Sequence, residues 1–347
     1  MIKIITKILL LNLIISLVSC QNNENIDIYL YELHEKGQLN GNVLVTKDGK
    51  NIYEKSFGYS DGTKNTKLTK GYRFNIGSVY KEFPAVSIMQ LQEKNQINLD
   101  DKVSKYIPEL PNWSEEVSIK HLLQYSSGLP TIGWDTYFSK GINVNDSHIM
   151  EEIKSVKNLE FRPGSDYLYS NSNPILLIKI IENITNSTFN QYLQENIFIP
   201  YGMKNTIIKE QYPYKDKTLM AIPFNSNLKE DDYKLSAKNL LISSTATDLA
   251  NWFEKLGNFQ IVNKQSIKKL SEQAKKGDNI QSPLGYIEWR DNKIIEHSHH
   301  GSIENYECIV RRFKQDNITI VILTNQKQQN VFDVSDEIYK IIKRTNK

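Results

Sequence analysis

The stretch Arg73-Phe-Asn-Ile-Gly-Ser-Val-Tyr-Lys81 decides how the middle of this chain folds and what chemistry it could carry. A short extended segment leads through a glycine into a segment with helical spacing that continues to about Glu93. Ser78 and Lys81 lie three residues apart, so they share one face of that helix. Pro84 removes a backbone donor early in the helix, and we expect it to kink the helix or to turn its first turn towards 3₁₀ geometry.

The pair Ser78 and Lys81 is a possible nucleophile with its base. A serine hydroxyl is a poor nucleophile until a base takes its proton. A lysine can do this only in its neutral form, which burial or a neighbouring cation favours. By itself the spacing is weak support, because a helix-capping serine followed by a solvated lysine gives the same pattern. If the pattern is functional, the Ser78 N–H lies at a helix N-terminus, where negative charge is stabilised.

A second motif, Tyr169-Ser-Asn171, follows the segment Phe161-Arg-Pro-Gly164. Its phenol is a second candidate base, and the amide of Asn171 could orient Lys81 or a substrate carbonyl. An ordinary surface loop is the alternative interpretation, because Tyr-Ser-Asn is loop-like and the chain has 19 tyrosines.

A third motif, His299-His-Gly301, follows a strand-like segment near the C-terminus. Gly301 would let backbone approach a bound molecule closely. His297 and His299 alternate onto one face of the strand with His300 beside them, so a metal site is an alternative to ordinary core or surface histidines. No second cluster of metal-ligating residues supports that alternative, and we predict neither a metal nor another cofactor.

These motifs, in this order, resemble those of the serine β-lactamase and penicillin-binding protein family, and within it the class C-like branch with its D-peptidases and esterases. The resemblance is strengthened by His121-Leu-Leu-Gln-Tyr-Ser-Ser-Gly-Leu-Pro130, to which we assign a structural role, and it extends from about Leu39 to Ile342. It implies an α/β fold of the α+β type, with an antiparallel sheet flanked by helices and an inserted, mostly helical subdomain.

The resemblance also implies roles for individual residues. Ser78 would be the nucleophile, Lys81 and Tyr169 would manage its proton, and Tyr169 would protonate the leaving group. The N–H groups of Ser78 and Ser302 would hold the oxyanion. The remaining positions implied to bind substrate are Asn171, His299 and Gly301.

Two features of the sequence bear on the substrate. The stretch Lys238–Asp248 lacks the glycine pair that the family often has there, and Asn305 replaces a glycine. His299 stands where many members carry lysine, and histidine is mostly neutral above about pH 7. We therefore expect only weak dependence on a substrate carboxylate.

The implied activity is that of a serine hydrolase that forms an acyl-enzyme with D-amino-acid peptides, small esters or β-lactams. The alternative from another functional class is a penicillin-binding or cell-wall-fragment sensing protein with little turnover. A small-molecule or peptide substrate is the expected partner in either case, and the sequence leaves the oligomeric state open.

The pattern of strands and helices predicts how the chain is organised. A hairpin is indicated at Asn42–Phe57 around the turn Lys47-Asp-Gly-Lys50. Three antiparallel strands and a closing helix are indicated at Lys293–His297, Tyr306–Phe313, Ile318–Thr324 and Val331–Ile342. We predict one domain over residues 21–347, with an α/β part at about 24–97 and 249–347 and a helical insert at about 98–248.

The first twenty residues are typical of a bacterial lipoprotein signal peptide. Lys3 and Lys7 precede a short apolar run that ends in Leu17-Val-Ser-Cys20, so we expect Cys20 to be lipidated and to anchor the protein to a membrane. A plain secretory signal is the alternative. The expected location is the bacterial cell envelope, facing the periplasm or the exterior. Cys308 would then have no disulfide partner.

Composition excludes some partners. The chain of 347 residues has a formal net charge of +3 and no basic block, so nucleic acid is not an implied partner.

Overall fold

A computed structural model describes residues 25–274, 280–328 and 330–345. Its centre is a six-stranded antiparallel sheet in the order β2-β1-β9-β8-β7-β6, with a second, three-stranded sheet in the order β3-β5-β4. The strands are β1 Gly41–Lys47, β2 Lys50–Phe57, β3 Phe74–Asn75, β4 Ile207–Ile208, β5 Ile242–Ser244, β6 Tyr286–Arg290, β7 Lys293–Ile303, β8 Tyr306–Phe313 and β9 Ile318–Thr324.

In the described ranges, ten α-helices surround the two sheets. They are α1 (residues 25–35), α2 Glu82–Glu93, α3 Ile119–Leu123, α4 Trp134–Ser139, α5 Asp146–Ser155, α6 Ser172–Thr185, α7 Phe189–Leu193, α8 Ala246–Gly257, α9 Lys264–Leu270 and α10 Val331–Thr345. Within the described ranges, none of these helices is both long and apolar enough to cross a bilayer. The expected signal peptide and Cys20 lie outside the described residues.

The central strands of the large sheet carry apolar side chains on both faces, and successive side chains point to opposite faces. Both faces of the sheet are therefore buried in a hydrophobic core. Val43 and Val45 of β1 pack with α1 and α10 in one core cluster. Leu44, between them, faces the second and larger cluster, which contains the residues of α2 and α8. The N- and C-terminal parts of the chain therefore build one sheet, and the antiparallel sheet flanked by helices that the resemblance implied is confirmed.

Several local predictions are confirmed. The hairpin β1–β2 turns at Asp48–Gly49, and the three C-terminal strands form with the predicted neighbours. The segment Gly77–Lys81 is a 3₁₀ turn that continues directly into α2, as Pro84 indicated. The division into an α/β part and an insert remains a prediction.

Strand β7 extends beyond the end of its neighbour β6, and this extension positions the site. Pairing with β6 ends at Ser298, whereas pairing with β8 continues to Ile303. Beyond Ser298, the edge of β7 is covered by the 3₁₀ turn Gly77–Lys81 instead of a strand. The Ser78–Lys81 turn and the His299–Gly301 segment of β7, both predicted from sequence to belong to the site, are thus in direct contact.

Candidate active site

The Lys81 amine and the Ser78 hydroxyl are hydrogen-bonded across one turn of the helix. Lys81 Nζ lies 2.9 Å from Ser78 Oγ. The lysine is 3% exposed, and its Nζ lies 4.8 Å from the centre of the Tyr80 ring and 4.9 Å from that of Tyr169. Within the described part of the chain Nζ forms no ion pair with a carboxylate, so it is directed at the hydroxyl between two aromatic faces.

Of the phenols around Lys81, Tyr169 is the one that is partly exposed. Burial, and to a smaller degree the neighbouring Tyr169, raise the pKa of Tyr80 well above its ordinary value. Burial likewise raises the pKa of Tyr125, whose ring centre lies 4.9 Å from that of Tyr169. Tyr80 and Tyr125 thus stay neutral, with Tyr80 packed against the Lys81 amine and Tyr125 against the Tyr169 ring.

The loop that carries Tyr169 is held by the segment His121–Pro130. Ser170 Oγ donates to the Pro130 carbonyl at 2.6 Å, and the Leu168 N–H donates to the Tyr125 carbonyl at 2.9 Å. Gly128 has φ +78° and packs so closely that a Cβ would overlap the Phe161 carbonyl. This is the structural role that the sequence indicated for the segment.

Two glycines let the turn before Ser78 and strand β7 touch backbone to backbone. A Cβ on Gly301 would overlap the Ile76 carbonyl and would lie 2.7 Å from Ser78 N. A Cβ on Gly77, which has φ +51°, would overlap the N–H of Ser302. The amides of Ser78 and Ser302 are therefore close neighbours.

The Ser302 amide points towards that contact. Ile303 and Tyr306 flank a two-residue turn and pair with each other, and Ser302 pairs with Glu307. In an antiparallel ladder the hydrogen-bonded and non-hydrogen-bonded pairs alternate. The pair that closes the turn is the bonded one, so the Ser302 N–H points away from β8, to the edge covered by Gly77–Lys81.

An open cleft of about 220 Å³ lies in front of these groups. Ser78, Lys81, Asn171 and Ser302 line it, whereas Tyr169, His299 and Gly301 are not among its lining residues. Asn75, Gly77 and Tyr80 also line it. Sequence reasoning missed the part of the wall that is apolar or acidic: Trp134, Phe138, Leu235, Leu240, Ile303, Asp135 and Glu304. Leu240 comes from the glycine-free stretch Lys238–Asp248, so that departure from the family pattern does border the cleft.

His299 is placed behind the cleft, against a carboxylate that sequence reasoning also missed. Its Nδ1 lies 2.8 Å from Oε1 of Glu82, the residue that follows Lys81. Glu82 begins helix α2, and the neighbouring residues gave no sequence signal that its side chain would be buried. Among the described residues, no group of three or more His, Cys, Asp or Glu side chains is arranged to hold a metal ion. Cys308 is buried, and burial raises the pKa of its thiol.

Comparison with known proteins matches this geometry to one family. The family model for Beta-lactamase matches residues 30–343. The chain belongs to the β-lactamase family. Proteins similar to the chain include one named as a penicillin-binding protein and one named as a D-amino acid amidase.

Two curated relatives from the comparison illustrate the likeness. Protein flp of Staphylococcus aureus (strain MW2) is 27% identical over 333 residues, which cover 89% of this chain and 64% of that protein. Penicillin-binding protein 4* of Bacillus subtilis (strain 168) is 26% identical over 325 residues, which cover 87% of this chain and 71% of that protein. The chain thus spans less than two thirds of the length of the first relative.

Solved structures share the fold. A penicillin-binding protein from Bacillus halodurans superposes with a TM-score of 0.78 at 21% identity, covering 90% of this chain and 98% of that one. The D-amino acid amidase from Ochrobactrum anthropi SV3 superposes with a TM-score of 0.76 at 18% identity, covering 94% and 99%. The β-lactamase/transpeptidase-like architecture implied by the sequence is confirmed.

Proposed function

We propose that this family member is a serine hydrolase that works through an acyl-enzyme on Ser78. The observation that carries the proposal is the 2.9 Å hydrogen bond between Lys81 Nζ and Ser78 Oγ in a site where Lys81 is almost fully buried. A neutral amine at this distance can take the hydroxyl proton as Ser78 attacks a carbonyl carbon.

The developing negative charge on the carbonyl oxygen would be held by the N–H groups of Ser78 and Ser302. Their closeness, created by Gly77 and Gly301, supports this role. Asn171 lines the same cleft and can donate its amide to the substrate. Tyr169, whose ring lies against the Lys81 amine, would return a proton to the leaving group, and water would then hydrolyse the ester on Ser78.

For the substrate we propose D-amino-acid peptides, small esters or β-lactams. Lys81 is the one basic side chain among the described residues lining the cleft, and Asp135 and Glu304 stand at its wall. His299 is 3% exposed and engaged by Glu82, so it offers no free cation to a substrate carboxylate. A carboxylate on the substrate should therefore contribute little, as the sequence already indicated.

A pre-steady-state assay with a small p-nitrophenyl ester tests the proposal. The native protein should release one equivalent of p-nitrophenolate in a burst and then turn over steadily, whereas Ser78→Ala should show neither phase. A Tyr169→Phe variant should keep the burst with this ester, whose leaving group needs no proton, but lose activity on a matched amide. A burst followed by almost no turnover would support the slow-deacylating sensor instead. A full burst from Ser78→Ala would overturn the proposal.

A further inference from the structure

Directly behind the Ser78–Lys81 pair lies a buried cluster around Glu82. The Glu82 side chain is fully buried, and it accepts three hydrogen bonds. Oε2 accepts from Trp252 Nε1 at 2.6 Å, while Oε1 lies 3.0 Å from His297 Nε2 and 2.8 Å from His299 Nδ1. The proposed mechanism has no role for this carboxylate, although burying one is costly.

The acceptors around the cluster show which imidazole nitrogens carry protons. His297 Nε2 lies 3.0 Å from both Glu82 Oε1 and the Leu284 carbonyl, and both are acceptors, so Nε2 carries the hydrogen. Burial favours a protonated Glu82, but the charges of His297 and His299 and their hydrogen bonds outweigh it and lower its pKa to about 2. Glu82 is therefore a carboxylate, and Nδ1 of His299 is the nitrogen that donates to it.

The charges around His299 come from four elements. Glu82 of α2 and His297 of β7 flank it, Lys81 approaches from the 3₁₀ turn, and the buried Cys308 thiol of β8 lies near the same carboxylate. Burial lowers the pKa of His299, Glu82 opposes that effect, and the charges of His297 and Lys81 add to it. The net direction is downwards, so near neutral pH the imidazole is uncharged.

We propose that Glu82 is a positioning residue for the reaction, because it fixes His299 with Nδ1–H towards the carboxylate and leaves Nε2, on the other edge of the ring, as an unprotonated acceptor. This inference rests on the proposed function. Protonation of His299 would add an N–H donor at Nε2 and strengthen the hold of Glu82 on the ring, so Nε2 could no longer accept a hydrogen bond. The working form is then neutral His299, and activity falls as the pH drops through the His299 pKa.

The same strand supplies a matched control. His300, on the opposite face of β7, bonds through Nε2 to Glu307 Oε1 at 2.9 Å. This pair has the same chemistry, but the His300 side chain is 30% exposed and neither residue lines the cleft. Glu307→Gln therefore reproduces the chemical change of Glu82→Gln on the side of the sheet away from Ser78.

The test is the pH dependence of p-nitrophenyl ester acylation in Glu82→Gln, Glu82→Asp and Glu307→Gln. Without the negative charge, the His299 pKa falls further, so the acid limb should move to lower pH by about one unit, and kcat/KM should drop about 100-fold. Glu82→Asp keeps the charge and should keep the limb, and Glu307→Gln should match the native profile. An unshifted limb in folded Glu82→Gln would overturn the proposal.

A second readout does not need activity. In the ¹⁵N spectrum of native protein or Ser78→Ala at pH 8, His299 should show a protonated Nδ1 and an unprotonated Nε2. The opposite tautomer would overturn the inference even if Glu82→Gln fails to fold. Failure of the proposed function is recognised separately, because Ser78→Ala would then still be acylated while the tautomer is unaffected.

Discussion

The two faces of strand β7 carry similar side chains with different surroundings. On one face, His297 and His299 share a fully buried Glu82 behind the Ser78–Lys81 pair. On the other face, His300 pairs with Glu307 near the surface, next to the Phe332 ring. Both are carboxylate–imidazole pairs with nearly equal distances. The two pairs differ in how deeply they are buried, and only the inner pair lies next to the Lys81 amine.

This difference teaches that pairing alone does not mark a functional histidine. A partly exposed pair is weakened by water and contributes little, whereas a buried carboxylate with three donors strongly fixes orientation and protonation. The inner face of β7 can therefore influence a proton transfer at Ser78, and the outer face can only support the sheet.

The largest effect on activity is expected from replacing Lys81, whose amine borders the inner face of β7. Lys81→Met removes the proposed base and should slow acylation by about 10³-fold or more, because Ser78 then has no group to take its proton. Lys67→Met is a matched control, since Lys67 also lies over a tyrosine ring, 5.1 Å from that of Tyr59, but is exposed and away from the cleft. Equal rates for the two variants in the burst assay would break the account.

Removing each carboxylate should affect stability unequally. Glu82→Ala leaves Trp252 and His299 without their acceptor in the core and His297 with only the Leu284 carbonyl, and should cost about 3–5 kcal/mol of unfolding free energy. Glu307→Ala should cost about 1 kcal/mol, because its partner remains accessible to water. Urea unfolding of the two variants measures both values. Similar losses would mean that burial does not separate the two faces.

Lowering the pH should remove the contribution of Glu82 to the free energy of unfolding. Its pKa is about 2 in the folded protein, below its ordinary value of 4.5, so its stabilisation is complete above about pH 4.5 and is lost as the pH falls through about 2. The difference in unfolding free energy between native protein and Glu82→Gln should shrink by about 3 kcal/mol over that range. A difference that stays constant from pH 5 to pH 2 would contradict the assignment of an ionised Glu82.

The smallest effect concerns the substrate. Since His299 is held by Glu82 and the cleft wall carries Asp135 and Glu304, a pair of esters that differ only in a carboxylate should differ in kcat/KM by less than about 10-fold between pH 6 and pH 9. A strict requirement for the carboxylate across that range would show that the inner face does provide a usable cation.

Much of the fold could be predicted from local sequence. The Lys47–Lys50 turn, the C-terminal strands and the Pro84 effect each depend on neighbouring residues, and the structure confirms them. Strand β6 was missed, although the turn Asp291–Asn292 between alternating segments is a hairpin signal.

The candidate site was only partly predictable, because its parts are far apart in sequence. Ser78 and Lys81 share one turn and could be paired from spacing alone. Glu82 meets His299 across 217 positions, and nothing local distinguishes a buried glutamate from a solvated one. Trp134 and Phe138 likewise line the cleft from the short helix α4, whose position depends on tertiary packing.

The intact mass of the protein after exposure to a reactive acyl ester tests the central claim most directly. Native protein should gain one acyl group, and peptide mapping should place it on Ser78. Ser78→Ala should gain none under the same conditions. An equal mass increase in both proteins, or an adduct mapped to another residue, would contradict the assignment of Ser78 as the nucleophile.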